Sequence, residues 1–321
     1  MGNLLVNDEN IVVAKSPFSA YENEGVKYDG KLGKADIDDI MLKVQRNHIV
    51  AIDYVILEAI SELEFATSRM VTKYLHLRNI EIEQDKVHNR LKFMNKHKVV
   101  SRYKFFNNES ETNLRIYCLE KPGRTLLLGR NYECKWKPTD SLRVEEMKEI
   151  LARNQVLLSF RDKVDNLDSY EINPYFKLVK TTGYFTPHLL ISISDNGKNE
   201  EMLFEIARSY EGYIPKLIER LRKYEEYYNH FQVTAEKTEA PKFIIVGEDD
   251  KHLFSIFKAI LNEKITLKDM GVIYTHDLRL LDKEINKSFI RFDMRQENGK
   301  TKAKITELNY TPIKLKQNEK I

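Results

Sequence analysis

Three successive segments between residues 49 and 96 carry apolar residues at helical spacing, and two strand-like segments follow them. The helical stripes cover residues 49–63, 70–75 and 87–94. The segments 99–106 and 113–119 are rich in β-branched and aromatic residues, which indicates two strands joined by a polar turn at 107–112. Three helices followed by a hairpin is the order of elements in a winged helix-turn-helix.

The second half of the chain alternates between strand-like and helix-like segments. Strands are predicted at 188–193, 202–206, 242–247 and 271–275, and helices at 143–154, 214–231 and 253–261. Alternation of this kind predicts an α/β domain whose sheet is mixed and partly parallel.

These patterns divide the chain of 321 residues into five regions, two of which are predicted domains. A chain of this length is expected to have about two domains. Residues 1–46 are polar with weak periodicity and are interpreted as a partly flexible N-terminal arm. Residues 47–121 form the predicted winged-helix domain, and 122–141 form a linker. Residues 142–311 form the α/β domain, and 312–321 form a polar tail.

Composition excludes several classes of protein. The chain has two cysteines, which excludes a disulfide scaffold or a cysteine-based zinc module. It has no apolar run long enough to span a membrane and no basic segment of a signal peptide, so we expect a cytoplasmic protein without membrane insertion. The Gly-x-x-x-x-Gly-Lys loop of P-loop ATPases is absent, and no cofactor is predicted.

The net charge of +3, from 52 basic and 49 acidic residues, hides a local excess of positive charge. Between Glu83 and Lys104, two acidic residues stand against seven basic ones. The basic residues are Lys86, Arg90, Lys92, Lys96, Lys98, Arg102 and Lys104. A basic patch on a winged helix predicts sequence-specific binding of double-stranded DNA.

Residue types within this patch predict separate roles. In a winged helix the third helix enters the major groove, where Asn and Arg pair with base edges and Lys meets phosphates. The predicted groove residues are Lys86, Asn89, Arg90 and Lys92, and the predicted backbone contacts are Arg102, Lys104 and Arg115. Thr67 and Ser68, at the start of the second helix, are predicted to donate to a phosphate, and either can cap that helix. Two alternatives stay open, namely a solvated charged face and a winged helix that binds another protein.

Three segments of the second half, together with the predicted winged helix, resemble the replication-relaxation family of plasmids and integrative elements. They are the segments 185–190, 203–208 and 216–228, and the resemblance covers about residues 48–280. It implies that the second half is a restriction-endonuclease-type PD-(D/E)XK core. It also implies a role in replication, transfer or transcriptional control of a mobile genetic element, with replication or relaxosome proteins as partners.

The chain departs from the family pattern at the positions that carry the nuclease chemistry. His188 and Ala207 stand where the family has aspartates, whereas Glu205 and Arg208 match it. Because Mg²⁺ requires several oxygen ligands, we predict an inactivated core in which Glu205 is paired with Arg208, Arg220 or His188. The alternative is a metal-dependent nuclease or nickase that uses Glu205 with other acids. Candidate acids for that alternative are Glu145, Glu146 and Glu149.

Three further motifs have structural interpretations. The acidic run at 248–250 follows a strand and is predicted to cap the next helix. His276 and Asp277 are interpreted as a turn and a cap. The aromatic residues at 224, 227, 228 and 231 are interpreted as core or as a subunit interface, and a homodimer is predicted.

Overall fold

A computed structural model describes most of the chain, and its contacts divide it into two compact units. The described residues are 16–21, 23–30, 36–106, 114–134, 143–181, 183–195, 197–232, 239–267, 271–297 and 300–316. The N-terminal unit is Ala20–Leu158; the C-terminal unit is Ser159–Ile321 with the described part of Met1–Ser19. The division falls within one helix, Val144–Lys163. The predicted linker lies within the N-terminal unit, and the predicted domain boundaries stay a prediction. Several segments named in the sequence predictions lie outside the described residues. They are residues 1–15 of the arm, the turn at 107–112, residues 135–141 of the linker and residues 317–321 of the tail.

The N-terminal unit contains a small antiparallel sheet and a group of helices. Its elements are β1 (Gly25–Tyr28), α1 (Ile37–Gln45), α2 (Ala51–Leu63), β2 (Phe65–Ala66), α3 (Ser68–His76), α4 (Gln84–Lys96), β3 (Val100–Phe106), β4 (Arg115–Leu119), α5 (Lys121–Leu128) and the first part of α6 (Val144–Lys163). The strand order is β1-β3-β4-β2. The three predicted helices and both predicted strands are confirmed as elements.

The apolar stripes of these helices form the core of this unit. Ile56 and Ile60 of α2 are fully buried, as are Val87, Leu91 and Met94 of α4. Burial of an apolar side chain contributes about 1.5–3 kcal/mol, so these positions fix which face of each helix turns outward.

The predicted cap of α3 is also confirmed. The Thr67 Oγ1 atom accepts a hydrogen bond from the Met70 amide over 3.2 Å. This bond satisfies one of the amides that the first turn of a helix leaves without a partner.

Three elements of this unit, namely β1, α1 and β2, were not predicted from the sequence. The interpretation of residues 1–46 as a partly flexible arm is corrected by β1 and α1, which both lie in that region. The strand β1 pairs antiparallel with β3. It has four residues, too few for a periodic pattern, and the edge of β3 supplies its hydrogen bonds. The Lys-Pro-Gly sequence that begins at Lys121 forms the first turn of α5, where proline is tolerated because its missing N–H needs no partner.

The C-terminal unit is built on a mixed sheet, as predicted. Its elements after α6 are β5 (Leu167–Ile172), β6 (Phe176–Lys177), β7 (Tyr184–Phe185), β8 (Leu189–Asp195), β9 (Lys198–Ile206), α7 (Tyr213–Asn229), β10 (Lys242–Gly247), α8 (Asp250–Asn262), β11 (Ile273–His276), α9 (Asp277–Asp282), a 3-10 turn (Ile285–Lys287), β12 (Phe289–Glu297) and β13 (Lys300–Leu308). The large sheet has the order β13-β12-β11-β10-β9-β8-β5. Strands β9, β10 and β11 are parallel, and the remaining pairs are antiparallel.

The aromatic residues of α7 mainly belong to the core of this unit. Tyr224 and Tyr228 are buried, and the ring of Tyr224 lies 4.4 Å from that of Phe243 on β10. The Tyr228 hydroxyl donates to the Pro241 carbonyl over 2.9 Å. The core interpretation therefore holds for these two side chains, and the homodimer stays a prediction. No helix in the described ranges combines the length and apolarity needed to cross a membrane.

Candidate functional site

One face of α4 presents polar and basic side chains to solvent. Lys86, Asn89, Lys92 and Lys96 are exposed, because the opposite stripe of the helix is buried. Lys86 lies 3.8 Å from Glu83, and both side chains are exposed, so this pair contributes little to stability. Three of the four residues predicted for the DNA groove, Lys86, Asn89 and Lys92, are therefore accessible.

The fourth predicted groove residue, Arg90, has a structural partner. Its guanidinium binds both carboxylate oxygens of Asp53, a fully buried residue of α2, and also donates to the His48 carbonyl over 2.8 Å. The hydrogen bond to Asp53 raises the pKa of Arg90. The guanidinium also lies 4.7 Å from the centre of the Phe93 ring. Arg90 thus joins α4 to α2, which is a role that the sequence pattern did not indicate.

A surface depression of about 490 Å³ adjoins the exposed face of α4. Its lining includes Asn89, Lys92 and Lys96 from α4 and Arg102 from β3. Asp29 and Gly30, which follow β1 in the chain, also line this depression. Side chains predicted for the groove and for the DNA backbone therefore border the same depression.

Basic residues also form a row across the small sheet. Lys104 of β3 is directly opposite Lys27 of β1 on one side and Arg115 of β4 on the other. Residues directly opposite each other share one face of a sheet, where like charges destabilise the pairing. Lys27 and Arg115 are exposed, and Lys104 is half-buried. The sequence could not indicate Lys27, because β1 was not predicted.

Asp29 compensates part of this positive charge. Arg102 donates to the Asp29 carbonyl over 3.0 Å and forms an ion pair of 2.9 Å with its carboxylate. The Arg115 Nε atom lies 3.5 Å from the same carboxylate. Arg102 is therefore held against the end of β1, whereas Arg115 is still largely exposed.

Thr67 and Ser68 lie at the start of α3, as predicted. Both are half-buried, and the oxygen of Thr67 is occupied as the acceptor of the cap. Its hydroxyl hydrogen and the amides of the first turn are the donors that this helix start can offer.

In the C-terminal unit, Glu205 is buried between β9 and α7 and has three polar neighbours. Its carboxylate forms an ion pair with Arg220 of α7 and accepts a hydrogen bond of 2.8 Å from the Tyr224 hydroxyl. The His188 Nδ1 atom lies 3.5 Å from it. The amide of Ile206 donates to the same Nδ1 over 3.0 Å, and the Arg220 guanidinium lies 2.9 and 3.0 Å from the two nitrogens of the ring.

These neighbours determine the protonation of Glu205. Burial alone raises the pKa of a carboxyl group, but the charge of Arg220 and the contacts with His188 and Tyr224 outweigh it. The pKa of Glu205 is therefore lowered, and the group is an anion neutralised by Arg220. Two of the three predicted partners, Arg220 and His188, are confirmed.

The third predicted partner of Glu205, Arg208, points elsewhere. Arg208 follows β9, which ends at Ile206. Arg208 is fully buried and donates to both oxygens of Asp277 at 2.9 Å. The same carboxylate accepts a hydrogen bond from Ser16.

The carboxyl ends of the parallel strands carry further buried polar groups. Asp250 accepts hydrogen bonds of 3.2 and 2.9 Å from Arg279, and His276 lies 3.3 Å from the same carboxylate. The Glu248 carboxylate accepts from the Ser209 amide over 2.8 Å. The sequence signalled the acidic members of this network but not their arginine partners, which are distant along the chain.

The predicted caps at these strand ends are confirmed. Asp249 accepts from the His252 amide over 2.7 Å at the start of α8. His276 accepts from the Arg279 amide over 3.4 Å at the start of α9. Within the described ranges, no three His, Cys, Asp or Glu side chains are placed to hold a metal ion.

The acids named for the nuclease alternative lie on α6. Glu145, Glu146 and Glu149 are half-buried, and Glu146 forms an ion pair of 2.9 Å with Arg143. They belong to the N-terminal unit, whereas Glu205 belongs to the C-terminal unit. Their participation in catalysis stays a prediction.

Comparison with known proteins gives no family for this chain. No family model matches it, and no curated protein matches it. Among solved structures, it is similar to the restriction endonuclease FokI at 11% identity and a TM-score of 0.27, covering 71% of this chain and 42% of that one. It is similar to protein VC1899 from Vibrio cholerae at 10% identity and a TM-score of 0.27, covering 81% of this chain and 56% of that one. The chain thus spans about half the length of these structures, and TM-scores this low support no inference about fold or activity.

Proposed function

We propose that the N-terminal unit binds double-stranded DNA as a winged helix, with α4 in the major groove. The observation that carries this proposal is the exposed polar face of α4, where Asn89 and Lys92 stand beside the depression that Arg102 also lines. Asparagine reads adenine through two hydrogen bonds, and lysine contacts phosphate or guanine. The order α2, β2, α3, α4, β3 and β4 matches that of a winged helix and supports the assignment.

The row Lys27, Lys104 and Arg115 supports a backbone contact by the small sheet. Three cations in register repel one another, and a polyanion that runs across the strands relieves this repulsion. Each phosphate that the protein neutralises adds about 0.9 to the negative slope of log affinity against log salt.

The wider role that we propose is sequence-specific DNA binding for replication, transfer or transcriptional control of a mobile genetic element, without catalysis. Support for the absence of catalysis comes from Glu205, because Arg220 and Tyr224 occupy the carboxylate oxygens that a divalent cation would need. The mobile-element context rests on the sequence resemblance to the replication-relaxation family.

Fluorescence anisotropy with a duplex selected from random sequences tests the DNA proposal. We expect Lys92→Glu to weaken binding about tenfold or more at 0.1 M salt and to reduce the salt slope by about 0.9. The matched control is Lys251→Glu, which makes the same charge change at an exposed position of α8. Equal losses in both variants, or wild-type affinity independent of salt, would contradict the proposal.

Specificity is tested separately with Asn89→Ala. We expect this variant to lose about 1–3 kcal/mol of discrimination between the selected duplex and a scrambled one. Its affinity for the scrambled duplex should be unchanged, because no phosphate contact is removed. An unchanged discrimination would exclude Asn89 from base recognition.

A further inference from the structure

The strands β6 and β7 form a separate two-stranded sheet in the C-terminal unit. Its inner face packs on α7 through aromatic contacts. The ring of Phe176 lies 5.1 Å from that of Tyr227, and the ring of Phe185 lies 4.9 Å from that of Tyr224. The hairpin is therefore anchored on α7, whose Tyr224 is itself buried in the core.

The outer side of the hairpin exposes large apolar and aromatic side chains. Tyr175 is 79% exposed, Val179 is 67% exposed and Tyr184 is 62% exposed. Neither tyrosine ring stacks on another ring in the described part of the chain. Aromatic side chains usually bury most of their surface, so two such exposed rings on one hairpin indicate a ligand-binding surface.

The hairpin carries two lysines, and one acid of α7, Glu226, contacts it at residues 180 and 181. Lys177 is directly opposite Tyr184 in the sheet, and Lys180 is exposed at the turn. The segment 175–184 contains no acidic residue. Aromatic rings alternating with lysines form a surface on which bases stack while cations contact the phosphates.

Glu226 of α7 holds residues 180 and 181 of the hairpin. Its carboxylate accepts from the amides of Lys180 and Thr181 at 3.0 and 2.9 Å, and from the Thr181 hydroxyl. The oxygens of this acid are thus engaged with Lys180 and Thr181, and the hairpin is joined to α7 here as well as through its aromatic rings. Order before binding reduces the entropy lost on complex formation.

We propose that the outer face of this hairpin binds single-stranded DNA, with Tyr175 and Tyr184 stacking on unpaired bases and Lys177 and Lys180 contacting phosphates. Base pairs of a duplex are already stacked on one another, so this face selects unpaired bases. The inference is independent of the proposed duplex binding, because it uses other residues, the other unit and another form of DNA.

The experiment measures binding of the full chain to a fluorescein-labelled dT oligonucleotide. We expect Tyr175→Ala and Tyr184→Ala each to weaken binding roughly fivefold or more. The matched controls, Tyr175→Phe and Tyr184→Phe, keep the ring and should bind nearly as wild type does. Lys177→Gln should reduce the salt slope by about 0.7, the value for one phosphate of a single strand.

A spectroscopic probe separates stacking from a general change in affinity. Trp136 is the one tryptophan in the sequence, so Trp136→Phe combined with Tyr184→Trp places a single indole at the hairpin. We expect dT oligonucleotide to quench its emission, and duplex DNA at equal phosphate concentration to leave it unchanged. Equal quenching by both would overturn the proposed selectivity for unpaired bases.

Two further results would overturn the proposal. One is oligonucleotide binding that is the same in wild type and in the alanine variants. The other is self-association of the wild type that both alanine variants abolish without any effect on oligonucleotide binding, which would make the face an interface between copies of the chain. Loss of duplex binding in Lys92→Glu with normal quenching of the indole at the hairpin would leave this inference intact.

Discussion

The guanidinium of Arg90 is bound to a carboxylate that water does not reach. Its side chain is 27% exposed, whereas Asp53 is fully buried. We expect Arg90→Ala to lower the free energy of unfolding by about 2–4 kcal/mol, because the buried Asp53 carboxyl group then lacks its cationic partner. Urea denaturation followed by circular dichroism measures this change. The control Lys92→Ala, at an exposed position of the same helix, should change stability by less than about 0.5 kcal/mol. Equal stability of both variants would show that the ion pair contributes nothing.

Among its neighbours, Arg220 contributes most to keeping Glu205 charged. In the wild type the folded-state pKa of Glu205 is lowered from the ordinary 4.5. The ionised carboxylate therefore stabilises the folded protein above pH 4.5, and this stabilisation is lost as pH falls through the folded-state pKa. We expect Arg220→Met to reverse the sign, because burial then raises the pKa of Glu205 above its unfolded value. The variant should lose about 2–4 kcal/mol at pH 7 and recover part of it near pH 5.

Unfolding titrations between pH 4.5 and 7 test this reversal. The control is Arg222→Met, which removes an exposed arginine of the same helix that pairs with Glu225. It should cost less than about 1 kcal/mol and should leave the pH profile of stability unchanged. A parallel loss at every pH in Arg220→Met would contradict the assigned role.

At the scale of elements, the start of α5 requires a glycine. A Cβ atom at Gly123 would lie 2.4 Å from the Val99 carbonyl oxygen, which belongs to the backbone and cannot rotate away. We therefore expect Gly123→Ala to destabilise the N-terminal unit by about 1–3 kcal/mol. At the other end of the same helix, a Cβ at Gly129 would lie 3.5 Å from the nearest atom, and its backbone is helical.

Gly129→Ala is thus the matched control, and it should be neutral or stabilising by up to about 1 kcal/mol. Thermal unfolding of both variants gives the comparison. Similar melting temperatures would show that the backbone at Val99 and the start of α5 can move apart at little cost in free energy.

Elements with a strong periodic pattern could be predicted from the sequence, whereas those that depend on a distant partner could not. The stripes of α2 and α4 and the apolar run of β10 identify those elements directly. The short strand β1 and the strands β12 and β13 lack such a pattern, because β1 has four residues and much of β12–β13 is polar. Their existence depends on strand pairing, which acts between residues far apart in sequence.

The candidate site shows the same division. The exposure of Lys86, Asn89 and Lys92 follows from helical geometry alone. The pairing of Arg90 with Asp53 does not follow from that geometry, because Asp53 is on another helix. Lys27 belongs to the site because it lies on β1, a strand that was not predicted. The pairing of Arg208 with Asp277 joins residues that are 69 positions apart, a distance over which no sequence pattern specifies contact.

At the scale of the whole molecule, His252 makes stability depend on acid. Burial, reinforced by the charge of Arg208, lowers the pKa of His252 to about 3 from the ordinary 6.5. Between these values the unfolded chain binds a proton that the folded chain does not. The free energy of unfolding therefore falls as pH decreases below 6.5, with a slope that approaches about 1.4 kcal/mol per pH unit.

Chemical denaturation at pH 5, 5.5, 6 and 7 measures this slope. We expect His252→Asn to flatten it, because the amide oxygen can still accept the Glu248 N–H that His252 Nδ1 accepts over 3.1 Å. His230→Asn, at an exposed position, should retain the wild-type slope. A slope that is unchanged in His252→Asn would assign the acid sensitivity to other groups.

The ion pair between Glu205 and Arg220 has a consequence for the biogenesis of the protein. A carboxylate that is neutralised by a bound metal ion depends on the supply of that ion in the cell. Arg220, in contrast, is part of the same polypeptide as Glu205. The core beside β9 therefore acquires its compensating charge during folding, in the presence of chelators as well as in metal-rich medium. We expect the yield of folded protein to be the same in chelator-treated and in metal-supplemented medium.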